Sequence, residues 1–271
     1  MLDIHLETVE KLLVYFIKDT IRKNGFSNGI VGVSGGIDSA VVLALTQRAL
    51  GSQQTYALLM PYKRSSRESL ADGKLICEQL GVTYEIIDIS PSVDAYFDRF
   101  PHKDKVLLGN KCARERMSVL YDFSARKKAL VVGTSNKSEL LIGYSTLWGD
   151  SAAAFLPLGD LYKTQVFQLA HHLNIPGNII KKKPTADLWE NQTDEEEIGV
   201  TYNELDEILY QMIDGRLSAG ELESKGYSRE KLQRVQRMVM NTQYKRTMPP
   251  ICKLHTRTIG MDFRYLRDWN K

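Results

Sequence analysis

The sequence predicts an α/β fold, a doubly wound parallel sheet flanked by helices. Three observations lead there. Short apolar runs alternate with helical patterns from residue 30 onward, the order that builds a parallel sheet with crossover helices. The first run, 30–33, breaks at Ser34-Gly35-Gly36 and resumes as a helical pattern through Val41, Val42, Leu43, Leu45 and Leu50. The chain has 271 residues and is 43% hydrophobic, enough for one large domain that buries about three quarters of its unfolded surface.

The elements follow in order. Residues 3–23 carry Ile4, Val9, Leu12, Leu13, Phe16, Ile17 and Ile21 at three- and four-residue spacing, an amphipathic helix. A turn over 25–29 leads into the first strand. A second strand is expected at 55–60, a helix at 66–80 closed by Gly81, a third strand at 83–89 and a helix around 93–97. Gly109 is expected to open a helix running to about residue 125, and 129–132 reads as a strand. Residues 143–160 have no clean period and read as an active-site loop or a tight core crossing. Helices are expected at 162–173, 202–213, 218–224 and 229–242. The lysines at 181–183 read as a solvated turn and the stretch 190–199 as a closing loop. The basic, aromatic tail from Tyr244 to Trp269 is expected to dock on the body or on a second subunit.

The stretch Gly32-Val33-Ser34-Gly35-Gly36-Ile37-Asp38-Ser39 carries the chemistry. A strand, a glycine turn and a helix N-terminus together present backbone N–H groups and the positive end of a dipole, which suit phosphate. Two glycines let a phosphate approach without a Cβ in the way. The Walker A pattern is absent, because no lysine follows the glycines. Asp38 would repel a phosphate unless a divalent cation lay between them. A second strand-to-helix junction, Gly133-Thr134-Ser135-Asn136-Lys137-Ser138-Glu139, is expected on the same edge of the sheet. Thr134 reads as a nucleotide contact and Glu139 as a second metal carboxylate. Equally, Ser135 would cap a helix whose first turn Ser138 and Glu139 decorate. Lys163, at a helix N-terminus, hints at an anionic partner or is simply solvated. Arg114 and Arg116 are two apart on one helix, so at most one faces the cleft.

Net charge is +3, from 36 basic and 33 acidic residues, too mild for nucleic acid or a membrane surface. The three cysteines, Cys77, Cys112 and Cys252, form no C-x-x-C pair, which argues against a zinc knuckle or a thiolation dyad. With no signal peptide and no run long enough to span a bilayer, a reducing, cytoplasmic setting is expected.

The Ser34–Ser39 string resembles the pyrophosphate loop of the ATP pyrophosphatases. With Asn110, Ala113-Arg114, Arg116-Met117, the 133–139 motif, Gly149-Asp150, Gly159-Asp160-Leu161-Tyr162-Lys163-Thr164 and Pro184-Thr185-Ala186-Asp187-Leu188, the chain looks like ammonia-dependent NAD synthetase of that superfamily. The resemblance implies a Rossmann-like, adenine nucleotide alpha hydrolase-like fold. It implies a single domain over 1–271, with the ATP-pyrophosphatase core at about 25–200 and a helical part over 201–271. It implies a ligase that adenylates the nicotinate carboxylate of deamido-NAD with ATP and displaces AMP with ammonia. Gly32, Val33, Ser34, Gly35, Gly36, Ile37, Asp38 and Ser39 would cradle ATP, and Asp38 and Glu139 would hold Mg²⁺. Thr134, Lys163 and Thr185 would contact ATP, and Arg114 would contact deamido-NAD. A homodimer with no nucleic-acid or membrane partner is expected. The phosphate loop lies about thirty residues from the start, so no glutaminase domain is expected and ammonia is the nitrogen source. Leu147 and Ala154 stand where many members have Lys and Asp, and Tyr244-Lys245-Arg246 where many have His-Lys-Arg. Another ATP pyrophosphatase, such as a GMP synthetase core or a tRNA-thiolating enzyme, is the alternative within enzymes. A non-catalytic nucleotide-binding module is the alternative outside them.

Overall fold

The computed structural model describes residues 2–185 and 193–262. Helix α1 (Leu6–Lys23) precedes β1 (Asn28–Gly32), α2 (Ile37–Leu50), β2 (Thr55–Leu59), α3 (Arg67–Leu80), β3 (Thr83–Ile86), α4 (Ser90–Arg99), α5 (Lys105–Lys127) and β4 (Ala129–Val131). Then come α6 (Lys137–Ile142), α7 (Lys163–His172), α8 (Gly177–Lys181), α9 (Asp194–Ile198), α10 (Tyr202–Leu209), α11 (Ala219–Ser224) and α12 (Arg229–Asn241).

The strands run in the order β3-β2-β1-β4, all parallel, with Gly29 opposite Thr55 and Asn28 opposite Ala129. A parallel bridge from Val132 to Phe155 carries the sheet one step past β4. The chain winds outward from β1 to β3 and then returns to lay β4 on the other side. The switch point is therefore the gap between the carboxyl ends of β1 and β4, where open α/β sheets bind ligands.

Alternation along the strands fills both faces. Val31, Val33, Ala57, Leu59 and Val132 pack with α1, α2 and α7 through Ile17, Ile21, Val41, Leu45, Val166 and Leu169. Ile30, Leu58, Ala129 and Val131 turn the other way, toward Ile89, Val93 and Cys112 of the α4–α5 layer. This is the doubly wound arrangement the sequence predicts. A third cluster joins Ile142 and Tyr162 to Ile198, Tyr202, Leu205, Leu209, Leu222, Leu232 and Val235. It seats α9–α12 beside the switch point.

Several boundaries differ from expectation for local reasons. Helix α5 opens at Lys105 because Asp104 accepts from the Val106 N–H at 2.8 Å, so Gly109 lies inside the helix. Strand β3 stops at Ile86, and Ile87 and Ile89 instead donate to the Leu59 and Pro61 carbonyls as the chain climbs toward α4. Helix α10 ends at Leu209 and widens into a π turn over Tyr210–Asp214. Asp187, Leu188 and the stretch from Phe263 to Trp269 lie outside the described residues.

Candidate active site at the switch point

Gly35 has φ +80°, and a Cβ there would sit 2.1 Å from the Ser69 carbonyl oxygen, so only glycine fits. Two serines brace the turn. The Ser39 hydroxyl donates to the Gly36 carbonyl at 2.9 Å and accepts from the Ser34 N–H at 3.3 Å. Gly36 is the N-cap of α2, and no described side chain caps that helix. Its first N–H groups are thus left for an anion. Gly32, Val33, Ser34, Gly36, Ile37, Asp38 and Ser39 line a cavity of about 530 Å³. Gly35 instead turns its back on it, against α3.

The β4–α6 junction closes the opposite wall. Gly133 is needed because a Cβ would meet Ala153 and Leu156 side-chain carbons at 2.5 Å. The cap of α6 is Asn136 rather than Ser135. Asn136 Oδ1 accepts from the Glu139 N–H at 3.0 Å, and the Glu139 carboxylate takes the Asn136 N–H at 3.4 Å, a capping box. Asn136 Nδ2 then reaches across to Asp38 Oδ1 at 2.9 Å and ties the two junctions together. Thr134 and Glu139 face the cavity.

Lys163 joins both walls. Its Nζ lies 2.5 Å from Asp38 Oδ2 and 3.2 Å from Glu139 Oε1, and 5.1 Å from the centre of the Tyr202 ring. The side chain is only 3% exposed, so the solvated reading of this lysine is overturned. Burial alone would lower its pKa, but the charges of Asp38 and Glu139 outweigh that and raise it. Burial pushes the Glu139 carboxyl well above the usual range; Lys163 opposes this, while the negative charges of Asp38 and Asp194 add to it. Asp194, raised mainly by burial, accepts from the Tyr144 hydroxyl at 3.0 Å and from the Tyr202 hydroxyl at 3.2 Å. This is a crowded, largely buried cluster with three carboxyl groups set around one ammonium among the described residues. Among the described residues no group of three or more His, Cys, Asp or Glu could cage a metal unaided. Two carboxylates in a phosphate-binding cleft do fit Mg²⁺, which completes its shell with water and substrate phosphate oxygens.

A profile of the NAD synthase family matches residues 9–249. The chain belongs to the NAD synthase family. It is 50% identical over 270 residues to the NH(3)-dependent NAD(+) synthetase of Trichlorobacter lovleyi, covering 100% of this chain and 99% of that one. It is 51% identical over 263 residues to that of Chlorobaculum tepidum, covering 97% and 95%. Among solved structures, the Campylobacter jejuni NH3-dependent NAD synthetase in complex with nitrate superposes with a TM-score of 0.80 at 35% identity, covering 93% of this chain and 100% of that one. The NMN synthetase of Francisella tularensis gives 0.82 at 32% identity, covering 92% and 99%.

In this NAD synthase chain the structure brings Asp38, Thr134, Glu139, Lys163 and Thr185 to one cavity. Arg114 is not on its wall: it is exposed, and its Nε donates to the Leu147 carbonyl at 3.3 Å. Arg116 is the one that lines the cavity, with Nε on the Met60 carbonyl at 2.9 Å. The 143–160 stretch runs along the cavity and also into the sheet. Tyr144, Thr146 and Asp150 line the cavity, while Phe155 joins the sheet. Lys245 lines it too, donating to the Gly143 and Ser145 carbonyls at 2.7 and 2.6 Å, and Arg246 caps the end of α6 on Leu141 at 2.6 Å. Reading 181–183 as a solvated turn misses Lys182. Its side chain is 15% exposed, lines the cavity and bonds Asp72 and Ser69.

Proposed function

We propose that the chain catalyses the ATP-dependent amidation of deamido-NAD by ammonia, giving NAD, AMP and pyrophosphate, as a C–N ligase. The observation that carries this reading is the Asp38–Lys163–Glu139 cluster set between two strand-to-helix junctions, in a chain half identical to synthetases of that name. The Gly32–Ser39 segment receives the phosphates. Asp38 and Glu139 would hold Mg²⁺, which would supply positive charge against the triphosphate. Thr134, Lys163 and Thr185 contact ATP, and Lys163 keeps the two carboxylates together. Arg114 contacts deamido-NAD from the outer rim beside Leu147. With Leu147 and Ala154 uncharged, the guanidinium bears much of the recognition of an anionic dinucleotide.

The chemistry needs no covalent nucleophile from the protein. A nicotinate carboxylate oxygen attacks the α-phosphorus, the bond to the β-phosphate oxygen breaks, and pyrophosphate leaves with the electron pair. The nitrogen of ammonia then adds to the acyl carbon, the bond to AMP oxygen breaks, and the nitrogen loses a proton to water. The chain's own work is to bind, orient and exclude water.

We further propose one domain over 1–271, supported by the third core cluster, which shares side chains of α6 with α10–α12. A homodimer is supported by exposed apolar side chains at the end of α4 and the start of α5, among them Tyr96, Phe100 and Leu107. No helix among the described residues is long and apolar enough to cross a membrane, and Cys77 and Cys112 are buried free thiols, which suits the cytoplasm. The test is pyrophosphate release with ATP, Mg²⁺, ammonia and deamido-NAD together. Continuous release is expected only with all four, whereas without ammonia, or with glutamine in its place, at most one equivalent per site is expected. Equal release without deamido-NAD contradicts the reading.

A further inference from the structure

The cluster around Lys163 leaves a charge problem. Lys163 is paired with both Asp38 and Glu139, and the negative charge of Asp194 also acts on it, so little of its positive charge remains for the departing phosphates. A second cation stands on the other side of the phosphate loop. Lys182, just past α8, donates to Ser69 Oγ at 2.9 Å and to Asp72 Oδ2 at 3.1 Å. Ser69 is the residue whose carbonyl closes against Gly35 in the loop itself. Asp72 is 3% exposed, and its other oxygen accepts from Asn178 Nδ2 at 2.5 Å. One buried carboxylate thus fixes two residues of the α8 segment and aims an ammonium at the cavity wall.

A buried ion pair of this kind adds little to stability compared with an apolar pair of the same size. Its use lies in holding a charge in place. We infer that Lys182, oriented by Asp72, binds the pyrophosphate end of ATP and the pyrophosphate product. This rests on the proposed reaction for its ligand. Lys182 then serves the leaving group while Lys163 serves the carboxylates. Asp72 is a positioning residue that acts through Lys182.

The test is calorimetric titration of the full chain with pyrophosphate, and separately with AMP, at fixed Mg²⁺. Three variants are compared: Lys182→Met, Lys182→Arg, and the double variant Asp72→Asn with Lys182→Met. The double variant leaves no buried charge unpaired, so it keeps the fold if the lysine merely balances Asp72. We expect pyrophosphate to bind about tenfold more weakly or worse in Lys182→Met and equally so in the double variant, the scale of a lost charge-assisted contact. AMP affinity and the KM for deamido-NAD should hold, and Lys182→Arg should keep most of the affinity. Pyrophosphate affinity restored in the double variant would overturn the inference, as would equal losses for AMP and pyrophosphate. Because binding is read without turnover, a chain that amidates nothing yet binds pyrophosphate through Lys182 upholds the site and sinks only the reaction.

Discussion

At the β1–α2 junction Gly36 leaves the first turn of α2 without a side-chain cap, whereas at the β4–α6 junction Asn136 and Glu139 cap each other. Both are a strand, a glycine turn and a helix, and both end at the same cavity. The difference is which backbone donors are already taken. At the first junction they remain for an anion. At the second the Glu139 N–H is bound by Asn136 and the Lys137 N–H by the Leu161 carbonyl at 2.8 Å. That junction has no spare N–H of these to give a phosphate and offers a carboxylate instead. One local shape thus serves opposite charges, and the Asn136–Asp38 bond sets them side by side.

The strongest way to break this division is Glu139→Gln, which keeps the capping bond to Asn136 and removes the charge. We expect kcat to fall by roughly 10³-fold with the fold intact by circular dichroism. Stability should move the other way. The raised Glu139 pKa means the folded state holds that proton more tightly than the unfolded one. Its stabilising contribution is therefore complete below its ordinary value of 4.5 and is lost as pH rises through the raised folded value. Denaturant melts of Glu139→Gln should lack that decline across the same window.

Next in size is Gly35→Ala, which attacks the anion side. A positive φ and a collision with the Ser69 carbonyl oxygen should cost about 3 kcal/mol in urea unfolding. The KM for ATP should rise roughly 10²-fold, because the turn that presents the N–H groups is displaced. Arg114→Ala lies outside both junctions and sharpens the comparison as a control. Steady-state kinetics should show deamido-NAD binding weakened by at least about 2 kcal/mol with ATP affinity little changed. The smallest effect is expected from Asn136→Ala. Loss of the cap should lower stability by about 1 kcal/mol, and loss of the bond to Asp38 should lower kcat by about tenfold.

The sheet, its parallel sense and the 32–39 loop were legible because each rests on local pattern: apolar runs, glycines and spacing. Asp38 and Glu139 were legible as a pair because two junctions on one sheet edge must converge. What local pattern cannot reach is the partner of a side chain. Lys163 reads as a misplaced helix charge until Asp38 and Glu139 stand beside it. Lys182 reads as one of three solvated lysines until Asp72, more than a hundred residues earlier, holds it. The choice of Asn136 over Ser135 as cap turns on one residue of phase. The choice of Arg116 over Arg114 for the cavity depends on where Met60 lies across the sheet edge, which helical spacing does not encode.

The central claim is that the two junctions act on one triphosphate so that the α-phosphate goes to the nicotinate carboxylate. Its most direct test is deamido-NAD labelled with ¹⁸O in that carboxylate, turned over with unlabelled ATP, Mg²⁺ and ammonia. Mass spectrometry should find one ¹⁸O in AMP, the other in the NAD amide and none in pyrophosphate. Label in the pyrophosphate, or unlabelled AMP, would contradict the account.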